Sequence, residues 1–224
     1  MGRKIGMREF RKNYGLHLLN YSSSNYHPGN WVDYGDFVRN DRFQIKLESI
    51  ARELDLPNEE ESVLAEGLKA IGMSDAEFAE LEMTTRNLIN ADLDIPSINV
   101  DLRGKVDLEK VVSLKFGEIK VRELADSSLR DKIEDSIEDV EEGKGKKWRR
   151  LKRKGIVIKL FYASEISIEV EKEIDCDFGV DVEVSEVAVE ASASGENQTN
   201  YKYTFRGQTS PFAVHFESVK SFIE

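Results

Sequence analysis

The sequence predicts an α+β fold, with a twisted, mostly antiparallel sheet and surrounding helices. Three observations predict it. Two long tracts alternate apolar and polar residues at the period of a strand, segments with helical spacing lie before and between them, and a short pair of aromatic-rich strands closes the chain.

In the longer tract, Ile166, Ile168, Val170, Ile174, Cys176, Phe178, Val180, Val182 and Val184 occupy even positions, with Lys172 the exception. The odd positions are Ser167, Glu169, Glu171, Glu173, Asp175, Asp177, Gly179, Asp181 and Glu183. Side chains alternate across a strand, so the tract has one apolar and one anionic face. A typical strand has about 5–6 residues, so this ribbon is expected to fold back as a hairpin, near Gly179. Its parity slips at Glu186, after which Val187, Val189, Ala191 and Ala193 form the apolar set. Such a slip marks a bulge or a bend. The upstream ribbon has the same layout: Ile98, Val100, Leu102, Val106, Leu108, Val112, Leu114 and Phe116, with Gly104 and Lys110 in the same parity. Arg103-Gly104-Lys105 reads as its turn.

The remaining elements follow in order. Met1 to Tyr21 carries Arg3, Lys4, Arg8, Arg11 and Lys12 among apolar residues, a short basic amphipathic helix ending near Gly15. A Ser-, Asn- and Gly-rich loop follows. About three helices are expected between Ile45 and Asn90. Leu47, Ile50, Ala51 and Leu54 mark the first, and Leu64, Leu68 and Ile71 the second. The third opens on a capping-box sequence, Ser74-Asp75-Ala76-Glu77, and continues through Phe78, Leu81, Leu88 and Ile89. Past the first ribbon, Leu129, Ile133, Ile137 and Val140 line one side of an acidic helix. A basic run follows at once: Lys144, Lys146, Lys147, Trp148, Arg149, Arg150, Lys152, Arg153 and Lys154. The last hairpin is expected to pair YKYTF with FAVHF across RGQTSP.

Composition narrows the function. The chain of 224 residues is read as a single domain, 1–224, with 40% hydrophobic and 33% charged residues. A net charge of −11 argues against a general nucleic-acid binder. The single cysteine, Cys176, rules out an intramolecular disulfide framework and fits a reducing cytosol. No apolar run reaches the roughly 18–20 residues of a membrane-spanning helix, and the N-terminus lacks the apolar core of a secretion signal. Met1-Gly2 is followed by Gly6, where a myristoylation motif has Ser or Thr. His17, His27 and His215 have no metal-ligand spacing, and no Walker loop, dinucleotide fingerprint or nucleophile elbow occurs. Alternating carboxylates on a ribbon read as a solvated strand face. No catalytic residue, metal or cofactor is implied, and an enzyme is disfavoured.

A membrane reading remains. A membrane strand needs about 9–11 tilted residues with one apolar face, which the arms on either side of Gly104 and Gly179 supply. Backbone groups in lipid must be paired, so several copies would have to share one closed barrel. The basic run offers a docking surface for anionic lipid, with Trp148 at headgroup level. Against this stand Lys110 and Lys172, each costing about 2–4 kcal/mol near a bilayer midplane. The competing readings are a solvated basic loop paired with Glu138, Asp139, Glu141 and Glu142, and a half-buried sheet that never meets a membrane. A non-enzymatic interaction module, an immunity or regulatory protein using its acidic sheet face, is the alternative function.

The order of the parts resembles the pore-forming domain of gasdermins, particularly the short bacterial and fungal members. The matching pieces are Met1 to Tyr21, the ribbon from Ile98 to Val121 and the ribbon from Ile156 to Ala193. KLFYASEISIEVEKE resembles the strand entering the second hairpin, and NYKYTFRGQTSPFAVHFESV the closing strand pair. The resemblance implies a gasdermin-N-like fold in a cell-death and antiphage-defence effector. It implies a chain that is cytoplasmic when inactive, binds acidic phospholipid when active, forms a homo-oligomer and inserts two hairpins per protomer. An activating protease, a partner protein or a heterotypic subunit would be the trigger. The chain departs from the family in two respects: any inhibitory tail is expected to be as short as VKSFIE, and the N-terminal cysteine acylated in bacterial members is missing.

Overall fold

The computed structural model describes residues 11, 14–19, 23–33, 44–54, 56–84, 111–143, 145–170, 186–193, 199–206 and 211–223. In chain order the elements are β1 (His17–Leu18), β2 (Asn30–Asp33), β3 (Gln44–Ser49), a 3-10 turn (Ile50–Glu53), α1 (Asn58–Lys69), β4 (Ser74–Asp75), β5 (Glu80–Thr84) and β6 (Val111–Glu123). They continue with α2 (Ser127–Glu142), α3 (Lys146–Leu151), β7 (Lys154–Val170), β8 (Glu186–Ala193), β9 (Thr199–Arg206), β10 (Ala213–Ser218) and α4 (Val219–Phe222). The fold is α+β, and the strand pairs β2–β3, β2–β7, β5–β6, β7–β9 and β8–β9 are all antiparallel. The chain divides into two compact units, each built from three separate stretches.

The helical unit comprises Asn25–Ser74, Val121–Leu160 and Val214–Glu224. Trp31 of β2 is fully buried, faces Ile156 of β7 in register, and sits among Ile50, Leu64, Leu68, Ile133, Ile137, Leu151, Val219 and Phe222. The acidic helix is α2. Its Ile133 and Ile137 are fully buried, Leu129 and Val140 pack at the margin, and Asp126 caps it by accepting from Ser128 N at 2.8 Å and Leu129 N at 3.4 Å. Helix α1 follows Pro57, whose missing N–H is lost at a position where no intrahelical partner exists. Leu64 and Leu68 form its buried stripe. Gly29 has φ +82°, and a Cβ there would lie 2.6 Å from Leu68 Cδ1, so only glycine fits. Arg130 of α2 holds α4 in place, stacking 4.5 Å over Phe222 and reaching Glu217 at 3.4 Å.

The sheet unit comprises Met1–Ser24, Asp75–Lys120 and Phe161–Ala213. Leu114 and Phe116 of β6 are buried, and Phe116 stacks on Phe212 with ring centroids 4.2 Å apart. The buried parity of β6 then changes, because Ile119 and Val121 are the next buried positions. The change falls at Gly117 and Glu118. Glu118 has φ +50°, and Ser164 Oγ hydrogen-bonds its carboxylate. A left-handed residue inserted into a strand is a bulge, and it keeps the apolar side chains on one face. On β7, Ile166 and Ile168 are buried, opposite Phe205 and Tyr203 of β9.

Three expectations are corrected. Residues 74–84 form β4 and β5 rather than a helix: Glu80 to Thr84 pair with Gly117 to Ser113 of β6, and that pairing outweighs the capping-box signature. Residues 44–53 form β3 and a single 3-10 turn rather than a helix, so of the three expected helices only α1 is present among the described residues. The closing strands do not pair with each other. YKYTF belongs to β9, which pairs with β7 and β8, whereas FAVHF leads into β10, which also adjoins β7. Adjacency in sequence favours neighbouring strands without requiring them.

Candidate functional site

The basic run folds as α3. Trp148 and Leu151, three residues apart, turn to the core of the helical unit: Leu151 is buried and Trp148 is half-buried against the same cluster. Gly145 opens the helix, and Arg149 N donates to its carbonyl at 3.3 Å. Arg149 and Arg150 lie in the last turn, where cations complement the exposed carbonyls.

That packing sorts the cations. Lys146, Arg149, Arg150, Lys152 and Arg153 are exposed, while Lys147 and Lys154 are half-buried. Arg150 Nη2 lies 3.3 Å from Glu53 Oε2, and Lys154 Nζ lies 3.4 Å from Glu53 Oε1. Lys154 also sits 4.9 Å above the Trp31 ring. The counter-ion of both residues is therefore Glu53 of the 3-10 turn, not an acid of α2. Separations of 97 residues and more gave no signal for it in the sequence. The exposed cations remaining in the run are Lys146 and Arg149 within α3 and Lys152 and Arg153 just past its end.

At the N-terminal basic segment, Arg11 is exposed and its carbonyl accepts from Gly15 N at 2.8 Å. Gly15 has φ +68°, as a helix-ending glycine does. Arg3, Lys4, Arg8, Lys12 and Lys144 lie outside the described residues.

The ribbons are described only at their roots. Leu114, Phe116, Ile166 and Ile168 are buried in the sheet unit, and Val112 and Val170 lie in β6 and β7. Ile98, Val100, Leu102, Gly104, Val106, Leu108, Ile174, Phe178, Gly179, Val180, Val182 and Val184 lie outside the described residues, as does Cys176. Sequence reading missed where the second ribbon's return arm lands. Residues 201–206 of β9 pair with 165–170 of β7 on one edge and with 186–191 of β8 on the other. The two arms therefore flank β9. Ser167 and Thr204 face each other across β7 and β9, both buried, with their hydroxyl oxygens 3.2 Å apart.

Among the described residues no His, Cys, Asp or Glu cluster is arranged to hold a metal, and no helix is long and apolar enough to cross a membrane. No family model and no curated protein matches the chain. Among solved structures, the chain is similar to a bacterial gasdermin from Bradyrhizobium tropiciagri. The two share 11% identity at a TM-score of 0.42, over 93% of this chain and 84% of the other.

Proposed function

We propose that this chain is a membrane pore former of gasdermin type. It docks on acidic phospholipid through exposed cations, gathers copies of itself and inserts its two alternating ribbons as hairpins of a shared barrel. One observation carries the reading. Each alternating tract is continuous with a long strand that already exists, β6 for the first and β7 for the second, so each has a paired root from which a lipid-facing hairpin can extend. Lipid cannot pair backbone groups, so the hairpins become stable only when copies close a barrel. The acidic side of the second ribbon then lines water and favours cations. Lys146, Arg149, Lys152 and Arg153 support docking, each gaining about 1 kcal/mol near an anionic surface.

The test is dye release from vesicles containing phosphatidylserine, measured for the native chain and for K146E/R149E/K152E/R153E. These residues are exposed, so the variant is expected to fold and to lose leakage at least tenfold, with leakage by the native chain falling as salt rises. Equal leakage by both proteins would remove the docking surface. Sealed vesicles together with a stoichiometric soluble complex would replace the pore reading with an interaction module.

A further inference from the structure

The loop entering β2 holds a histidine whose protonation is fixed by its neighbours. His27 is buried, with 5% of its surface exposed, and Asn30 is wholly buried. The Oδ1 of Asn30 accepts from the His27 backbone N–H at 2.8 Å, and its Nδ2 donates to Leu47 O of β3 at 3.2 Å. These two bonds set the orientation of the amide. Nδ2 also lies 3.3 Å from His27 Nε2, so Nε2 must accept and carries no proton. The other ring nitrogen, Nδ1, lies 2.8 Å from Pro28 O, which can only accept, so Nδ1 carries the single proton. Only the neutral Nδ1–H tautomer satisfies every group. A proton added at Nε2 would face the amide NH2, donor against donor.

The surroundings oppose that proton as well. Lys69 on α1 and Arg122 on β6 both act on the ring as positive charges. Burial, followed by these two cations, holds the ring below the ordinary histidine range, with the Pro28 carbonyl working in the other direction. The same loop ties three elements together. Gly29 N donates to Val157 O of β7 at 2.8 Å, Ile50 N of the 3-10 turn donates to Gly29 O at 2.9 Å, and Asn30 bridges to β3. A Cβ at Gly29 would meet Leu68, so the loop takes this path against α1 only with glycine there.

We propose that His27 is an acid-sensitive latch: a proton taken up at Nε2 breaks the Asn30 bridge and frees residues 27–30 from β3, β7 and the 3-10 turn. This inference does not rest on the membrane reading. Its sign follows from linkage. Above about pH 6.5 the ring is neutral in both the latched and the open loop, and the latch has its full strength. As pH falls, the open loop takes the proton first and the latch weakens, until the latched ring also titrates.

The full chain with 15N-labelled histidine, native and His27→Gln, tests this. Glutamine offers an acceptor near the Nε2 position and does not titrate. The native ring is expected to be the neutral Nδ1–H tautomer at neutral pH and to titrate below 6.5. At about pH 5.5 the Gly29 and Ile50 amides of the native protein are expected to exchange faster than those of His27→Gln at the same pH, by a factor of up to about ten. A proton on Nε2 at neutral pH, titration at or above the ordinary value, or equal exchange in the two proteins would overturn the latch. If His27→Gln does not fold, the native ring's tautomer and titration, with the native exchange profile against pH, still decide.

Discussion

The two halves of β7 differ on the same face. Along residues 154–160, in the helical unit, both parities are committed to the core: Ile156, Ile158 and Leu160 on one side, Val157 on the other. Burial on both sides continues through Phe161, Tyr162 and Ala163 in the sheet unit. From Ser164 onward the parities separate. Ile166 and Ile168 remain buried, while Glu165 and Glu169 reach solvent, leaving Ser167 as the only buried polar group between them. A strand buried on both faces has nowhere to go without undoing the core. A strand buried on one face already has the amphipathic character of a ribbon that could face lipid on one side and water on the other. The alternating tract named from the sequence begins where this second character begins.

The largest expected effect separates the halves directly. Val157→Asp places a carboxylate where both faces are packed and should cost about 4 kcal/mol or more, a large share of the roughly 5–15 kcal/mol that holds an ordinary domain. Glu165→Gln, on the same parity, loses an exposed ion pair with Arg206 at 3.1 Å and should cost about 0.5 kcal/mol by urea denaturation. Comparable losses from the two would erase the contrast.

The second test concerns movement. If the far half of β7 is to join the returning arm as a hairpin, β9 must leave its place between them. Ser167→Cys with Thr204→Cys, in a Cys176→Ala background, should form a disulfide across the β7–β9 pair, since the two hydroxyls are already 3.2 Å apart. Oxidised protein should lose vesicle leakage, and dithiothreitol should restore it. Leakage by the locked protein would mean that β9 stays in place. A further test concerns the buried hydroxyl pair itself. Ser167→Ala alone strands the Thr204 hydroxyl and should cost about 1 kcal/mol, whereas Ser167→Ala with Thr204→Val removes both polar groups and should cost less than the single change.

Much of this was legible in the chain. Helix α2 was readable from Leu129, Ile133, Ile137 and Val140, because a single helix against a single core obeys one period. The parity slip at Glu186 implies a bulge or a bend, and the stretch before it lies outside the described residues, which resume with β8. Neighbours were harder. Alternation says which face Tyr203 and Phe205 occupy and nothing about which strand lies beside them, so the position of β9 between β7 and β8 could not be read. The stretch Glu80-Leu81-Glu82-Met83-Thr84 is too short for a period to outweigh the capping sequence before it, and its state is decided by a partner some 30 residues on. At the basic site, the cations were visible while the short helix that carries them was not, nor was the residue that neutralises Arg150 and Lys154, since ion pairs over such separations leave no local trace.

The half-step at Gly117 and Glu118 indexes β6 in the way a notch indexes a sliding rule. Upstream the buried side chains sit on even numbers and downstream on odd, so moving the strand one place past β5 would turn Leu114 and Phe116 outward. Removing the notch instead would turn out Ile119 and Val121. Any rearrangement that keeps both sets covered must therefore move β6 in whole two-residue steps or carry its notch along unchanged.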